Sequence, residues 1–225
     1  DRTRRLGGVL DKLGVSGFGR VGTFAWNTAR HLELYFAVPC TNRVLHTLNI
    51  RLFPEQLVYI INHAEDEVIF VDRSLLAVLL PVMDQLATVR HLIVMDDGAG
   101  DVPESSQILD YEDLLSDVNS VEFSVLDERQ AASMCYTSGT TGNPKGVVYS
   151  HRSTYLHTLS TMTADVLGIR ESDVILPVVP MFHVNSWGLQ HAAVAVGAVA
   201  GAAAGAAIGV GVSGVVNVAT GRGFF

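Results

Sequence analysis

Charged side chains are scarce in this chain and cysteines scarcer still. Only 17% of the 225 residues are charged, against about 25% in an average protein. The two cysteines, Cys40 and Cys135, cannot build a disulfide framework, and no Cys-x-x-Cys pair or histidine-rich tract offers a zinc site. A Gly-x-Ser-x-Gly elbow is also missing, which leaves a serine hydrolase of that kind unsupported. The first residues, Asp1-Arg-Thr-Arg-Arg5, lead into an amphipathic stretch and not an apolar signal core, and there is no initiator Met. The expectation is a chain that starts inside a longer protein, in a reducing cytoplasm. Basic residues are in deficit, 15 Lys+Arg against 23 Asp+Glu, a net charge of −8. Such a chain repels phosphate backbones, so no nucleic-acid partner is expected. Apolar residues, in contrast, make up 48%, which excludes disorder of the whole chain and suffices for a sizeable core.

The charge is unevenly placed. From Val174 to Gly221 there is no Asp, Glu, Lys or Arg, and from about Ala192 the sequence is nearly all Ala, Gly and Val. Residues 1–198 and 199–225 therefore read as two kinds of sequence.

The first part alternates helix and strand signals. Residues 2–13 place Leu6, Val9, Leu10 and Leu13 on one helical face. A strand is expected at Val21–Trp26, then a helix capped by Asn27 and running to about Ala37. Pro54 starts a helix that puts Leu57, Ile60, Ile61 and Ala64 together. Val68–Val71 and His91–Met95 read as buried strands. Between them a helix capped by Ser74 should run to about Leu86, with Pro81 disturbing its middle. Residues 97–130 read as a surface connection with one short helix near Tyr111–Leu115. Strands at Ala132–Thr137 and Val147–Ser150 flank a glycine loop, followed by a helix over 152–167 and a strand at Val174–Val179. Short apolar strands alternating with amphipathic helices predict an α/β fold with mostly parallel strands.

The glycine loop carries the chemistry. It reads Tyr136-Thr-Ser-Gly-Thr-Thr-Gly-Asn-Pro-Lys-Gly146, and every residue from Thr137 to Gly142 is Gly, Ser or Thr. Glycines let backbone N–H groups approach an anion, hydroxyls add donors, and Lys145 adds positive charge. That set suits a polyphosphate. The same residues are ordinary turn formers, so composition alone divides the loop evenly between a polar hairpin and a phosphate site. The loop is not the Gly-x-x-x-x-Gly-Lys-Ser/Thr type that opens a helix, because Lys145 follows Pro144 and a strand follows Lys145.

Tyr136–Gly146 resembles, without a gap, the phosphate-loop signature of the adenylate-forming enzymes: acyl-CoA synthetases, luciferases and peptide-synthetase adenylation domains. Val44–Asp72 is similar to medium- and long-chain fatty acyl-CoA synthetases. So is Val179–Trp187, which looks like their gate segment. The resemblance covers about residues 2–198, and what it implies is the following. The fold is an incomplete N-terminal domain of layered helices around mostly parallel sheets. Thr137 helps hold Mg²⁺. Ser138, Gly139, Thr140, Thr141, Gly142 and Lys145 surround the ATP phosphates. His183 stands beside the substrate carboxylate and the adenylate, Val184 lies near ATP, and Trp187 closes the acyl tunnel. His183 and Lys145 are the residues assigned to catalysis. ATP, Mg²⁺ and CoA are the cofactors and co-substrates, and a fatty acid is the substrate. A homodimer and peripheral membrane contact stay open.

Taken alone, His183 reads as a packed histidine and Trp187 as core; only their nine-residue context lifts them. His151 and His157, six apart, fall off one helical face. Cys135, in an apolar strand, reads as a buried thiol.

Departures from the family pattern matter as well. Gly17-Phe-Gly-Arg-Val21 replaces the usual Gly-Asp-Arg-Val, and Cys40, Thr41, Asn42 and Arg43 stand where the family favours small glycines. Bulk and charge there are expected to disturb packing. The family's Tyr-Gly-x-Thr-Glu segment, its ribose-binding Asp and the small domain with a catalytic Lys are absent from this sequence. The expectation is a fatty acid–CoA ligase piece that is inactive by itself. The alternative is a non-catalytic remnant that binds phosphate or associates with a membrane. In the tail, Gly197, Gly201, Gly205, Gly209 and Ser213 recur every four residues. That pattern fits a membrane helix over Ala192–Val216, a frameshifted reading or a disordered low-complexity tail.

Overall fold

The computed structural model describes residues 1–137, 143–200 and 218–219. Its helices are α1 (Arg2–Lys12), α2 (Ala29–Ala37), α3 (Pro54–Ala64), α4 (Leu76–Leu79), α5 (Tyr111–Ser116), α6 (His151–Met162) and α7 (Leu189–Val196). Its strands are β1 (Arg20–Phe24), β2 (Val44–Thr47), β3 (Asp66–Asp72), β4 (His91–Met95), β5 (Ile108–Asp110), β6 (Ala131–Thr137), β7 (Lys145–Ser150), β8 (Val174–Ile175), β9 (Val199–Ala200) and β10 (Val218–Ala219).

Strand β3 explains the layering. Val68 and Phe70 point to one side, Ile69 and Val71 to the other, and none of the four is exposed to water. A strand apolar on both faces must be covered on both. Helices α1, α2 and α5 cover the first face, where Leu6, Leu10, Leu34 and Tyr111 pack with Val68, Phe70 and Ile93. Helices α3 and α4 cover the second, where Leu57, Ile61, Leu76 and Leu79 pack with Ile69, Val71 and Leu92. Each such side chain contributes about 1.5–3 kcal/mol on burial. The sheet has seven strands in the order β5-β4-β3-β1-β2-β6-β7. Every neighbouring pair is parallel except β6–β7, which is antiparallel. A helical crossover between most strands makes parallel pairing the natural outcome. Strand β8 pairs with β9 in parallel and with β10 antiparallel, forming a second small sheet.

Several local expectations change. Thr28, not Asn27, caps α2 by accepting from the His31 N–H at 3.2 Å. The carboxamide of Asn27 reaches across to residues 177–181 instead. Ser74 caps no long helix. Its hydroxyl and N–H bind Asp97, and the chain breaks into a 3-10 turn, the four-residue α4 and a second 3-10 stretch over Leu80–Gln85. Pro81 cannot supply the N–H that a continuous helix needs. Helix α6 ends at Met162, five residues early, and β8 ends at Ile175, four residues early. The acidic connection holds an unexpected strand, β5, and its helix is buried through Tyr111 and Leu115.

Arg43 does not disturb packing. It is buried, and its guanidinium donates to Asp11 Oδ1 at 2.7 Å and to the Val15 carbonyl at 3.1 and 3.0 Å. Asn42 takes the left-handed conformation there (φ 57°), which its short polar side chain tolerates nearly as well as glycine. Among the described residues no helix is long and apolar enough to cross a membrane. Helix α7 stops at Gly197 (φ 76°), so the Ala192–Val216 stretch does not begin as one continuous helix. The rest of that stretch lies outside the described residues, apart from Val199–Ala200.

Candidate active site

The two ends of the glycine loop meet at the rim of the main sheet. In the antiparallel β6–β7 pair Tyr136 faces Gly146, and Thr137 faces Lys145. Thr137 and Lys145 are both exposed, so a hydroxyl and an ammonium stand side by side where the loop begins and ends. Ser138, Gly139, Thr140, Thr141 and Gly142 lie outside the described residues. Strand β6 runs parallel to β2, so the loop emerges at the carboxyl end of the parallel strands, where ligands bind in open α/β sheets.

Around Tyr136 sits a polar cluster that is buried at His46 and Asp66, half-buried at Tyr136 and exposed at His63. The Tyr136 hydroxyl shares a 2.6 Å hydrogen bond with His63 Nδ1. Its ring lies 5.2 Å from the His46 ring, and His46 Nδ1 binds Asp66 Oδ2 at 2.8 Å. Burial pushes the Asp66 carboxyl above the usual range, against the opposing pull of His46. Burial first, then the charge of Asp66, pushes the Tyr136 phenol up to about 12, so it stays protonated at neutral pH. A Cβ on Gly146 would come within 3.3 Å of the Tyr136 ring and of Met134, so a glycine lets that ring lie across the strand pair.

The second candidate element is a turn seated on the same strand. His183 is exposed at its entrance, with φ −112° and ψ 116°. The next four residues, Val184, Asn185, Ser186 and Trp187, all have positive φ, of 48°, 48°, 48° and 53°. None is glycine, and left-handed backbone costs roughly 1–2 kcal/mol for each such residue. Polar contacts hold the strained run. The Ser186 hydroxyl donates to the Val179 carbonyl at 3.0 Å, and Gln190 Nε2 donates to the Asn185 carbonyl at 2.9 Å. The Asn185 carboxamide meets the Ser133 hydroxyl of β6 at 3.2 Å. The Cys135 thiol of the same strand is buried, and burial pushes it up, which keeps it a thiol and not a nucleophilic thiolate. Trp187 is about half exposed, at 49%.

Strand β6 thus brings Thr137 and the turn carrying His183, Val184 and Trp187 to the same end of the sheet. His46, His63, Asp66 and Asn27 were missed from sequence. Three of them stand inside the Val44–Asp72 stretch, but nothing in their spacing marks a cluster, because the sheet order and not the chain order assembles it.

Comparison with known proteins agrees with this layout. The family model described as AMP-binding enzyme matches residues 1–207. The chain is 49% identical over 197 residues to a 3-methylmercaptopropionyl-CoA ligase of Ruegeria lacuscaerulensis, covering 87% of this chain and 36% of that protein. It is 50% identical over 197 residues to a long-chain-fatty-acid–CoA ligase of Thermus thermophilus, covering 88% and 35%. It is 46% identical over 200 residues to a medium-chain-fatty-acid–CoA ligase of Ectopseudomonas oleovorans, covering 88% and 36%. The chain therefore spans about a third of the length of these relatives. In fold it is similar to the anthranilate CoA ligase AuaEII in complex with anthranoyl-AMP, with a TM-score of 0.78 at 24% identity over 92% of this chain and 39% of that one. A sheet rimmed by a Thr137–Lys145 loop closure, a left-handed turn on the same strand, and a family match over most of the sequence lead to one assignment: the chain belongs to the AMP-binding enzyme family.

Proposed function

We propose that this chain forms the phosphate-loop side of the adenylation site of an AMP-forming acyl-CoA ligase whose acid is a fatty acid. The observation that carries the reading is the double use of β6, which runs into the glycine loop at Thr137 while its Ser133 hydroxyl meets the Asn185 carboxamide of the Val184–Trp187 turn. In the first step a carboxylate oxygen attacks the α-phosphorus of ATP, and pyrophosphate leaves with the electron pair of the broken P–O bond. In the second, the CoA sulfur attacks the acyl carbon and AMP departs. Charge accumulates on the leaving pyrophosphate. Ser138–Gly142 and Lys145 would surround it, and each preorganised donor in such a site is worth about 3 kcal/mol.

Thr137 would offer its hydroxyl to Mg²⁺. When bound, that ion neutralises phosphate charge. Among the described residues no group of three or more His, Cys, Asp or Glu side chains converges on a metal position. Among the described residues at the loop, the hydroxyl open to such an ion is that of Thr137, which is exposed. His183 would stand beside the carboxylate and the adenylate, Val184 beside the nucleotide, and Trp187 at the acyl entrance.

Relatives named as medium- and long-chain-fatty-acid ligases support the fatty acid. Relatives named as 3-methylmercaptopropionyl-CoA ligases favour a second reading, a short thioether acid. We place the end of the family portion at about residue 198, with 199–225 a separate tail. We also propose that these 225 residues do not complete the reaction by themselves, since half a site loses most of the benefit of positioning. Pyrophosphate release with ATP, Mg²⁺ and palmitate, octanoate or 3-methylmercaptopropionate tests the reading. Full-rate turnover by the chain alone would reject the inactivity, and preference for the thioether acid would reject the fatty acid.

A further inference from the structure

We infer that Asn27 is a positioning residue for the left-handed turn at the candidate active site, with Tyr35 as its partner. Asn27 lies three residues after β1, about 150 residues before the turn, yet its carboxamide is spent entirely on the irregular segment leading into it. Nδ2 donates to the Pro177 carbonyl at 2.8 Å and to the Val179 carbonyl at 3.0 Å, while Oδ1 accepts from the Met181 N–H at 2.7 Å. Two donated protons and one accepted proton also fix which way the amide faces, because the flipped amide would set donor against donor at Met181.

Tyr35, fully buried on α2, takes over one residue further on. Its hydroxyl donates to the Met181 carbonyl and lies 3.1 Å from the Asn185 carboxamide. The phenol has one proton. That proton is shared between the Met181 carbonyl and Asn185 Oδ1, while Asn185 Nδ2 donates to the Ser133 hydroxyl at 3.2 Å. Both peptide groups of Met181 are therefore gripped from the first quarter of the chain, two residues before His183.

Apolar packing shares in this placement, since Met181 and Phe182 are buried and Met181 joins the core beside Leu34 and Tyr35. The packing is incomplete: a cavity of about 150 Å³, lined by Asn27, Leu32, Ile175, Met181 and Leu189 among others, lies against the same segment. Where side chains leave a void, their contacts are lost, and hydrogen bonds carry more of the backbone's placement. The run they hold is costly: four consecutive non-glycine residues with positive φ, one of them the β-branched Val184. Such a run persists only where its surroundings over-determine it. The chemical role of the turn rests on the function proposed above; the grip on it does not.

Amide hydrogen exchange on the 225-residue chain separates the two. Asn27→Ala should raise exchange across residues 181–188 by about tenfold or more while β3 and β4 keep their protection. Tyr35→Phe, which removes one hydroxyl and keeps the ring, should open the same segment less. Asn27→Asp retains an acceptor for the Met181 N–H and loses both donations, so it should restore part of the protection. Trp187 gives a spectroscopic reading. In a Trp26→Phe background, its emission and acrylamide quenching should shift in Asn27→Ala and recover partly in Asn27→Asp. Exchange in 181–188 within twofold of wild type in both Asn27→Ala and Tyr35→Phe would overturn the inference, as would a rise spread equally over the whole sheet. If Asn27→Ala fails to fold, Tyr35→Phe alone decides between these results. Pyrophosphate release by the same preparations reads the proposed function separately, so an inactive wild-type chain leaves the exchange result to stand or fall alone.

Discussion

His46 and Asp66 form a hydrogen-bonded pair of 2.8 Å with neither side chain reaching water, directly under the tyrosine that opens the glycine loop. His46 Nε2 has no partner of its own, so the pair is satisfied on one side only. Removing one member leaves the other buried and uncompensated. Asp66→Ala is expected to cost about 1–3 kcal/mol, the penalty of a buried polar group left without its partner, read as a lower midpoint in urea unfolding. Asp66→Asn, which keeps an oxygen for Nδ1, should cost less.

Asp72 gives stability a pH dependence of definite sign. It is buried and accepts the Trp26 N–H at 2.7 Å, and burial pushes its carboxyl up to about 7 from 3.8. The folded state therefore holds the proton more tightly than the unfolded state. Its contribution is full below about pH 4 and is lost as the pH rises through 7, by no more than about 4 kcal/mol. Asp72→Asn should flatten the slope of unfolding free energy between pH 4 and 7. An unchanged slope would reject this assignment.

Gly188 closes the left-handed run with φ 69°, and a Cβ there would stand 2.8 Å from His157 Nδ1. Gly188→Ala adds both backbone strain and a clash with a ring that the neighbouring helix holds. A loss of about 1–3 kcal/mol is expected in thermal unfolding.

Tyr136→Phe removes the hydroxyl that meets His63 and nothing else. A single hydrogen bond of this kind is worth about 0.5–1.5 kcal/mol net, so the unfolding free energy should fall by about that amount in urea unfolding. His63→Ala should act in the same direction, and the double variant should add little, since both lose one interaction.

Much of the fold was legible because its signals were local. Val68–Val71 and His91–Met95 are apolar on successive residues, which only a strand covered on both faces explains, and they pair in parallel as expected. Leu57, Ile60, Ile61 and Ala64 fell on one buried face of α3. Less legible were elements decided by tertiary partners. Ser74 has the chemistry of a cap, but Asp97 is the better partner, and Asn27 is drawn away from its helix by carbonyls far along the chain. The β5 strand has only three residues and takes its conformation from β4. The glycine loop drew attention by its composition, which alone left it divided between a polar hairpin and a phosphate site; its resemblance to the adenylate-forming signature made the choice. The cluster around Tyr136 drew none, because His46, His63, Asp66 and Tyr136 meet only after the sheet is ordered. The left-handed turn was equally invisible, since Val, Asn, Ser and Trp in sequence do not announce positive φ.

The central claim is that the Thr137–Lys145 loop closure is one end of an ATP site. Titration of Mg²⁺–ATP into the 225-residue chain, beside Lys145→Ala at the same ionic strength, tests it most directly. The prediction is saturable binding that Lys145→Ala weakens about tenfold or more, since a charge-assisted contact to phosphate is lost while the fold, read by amide exchange in β3 and β4, is unchanged. No saturable binding by the wild-type chain, or equal Kd for the two proteins, would contradict it.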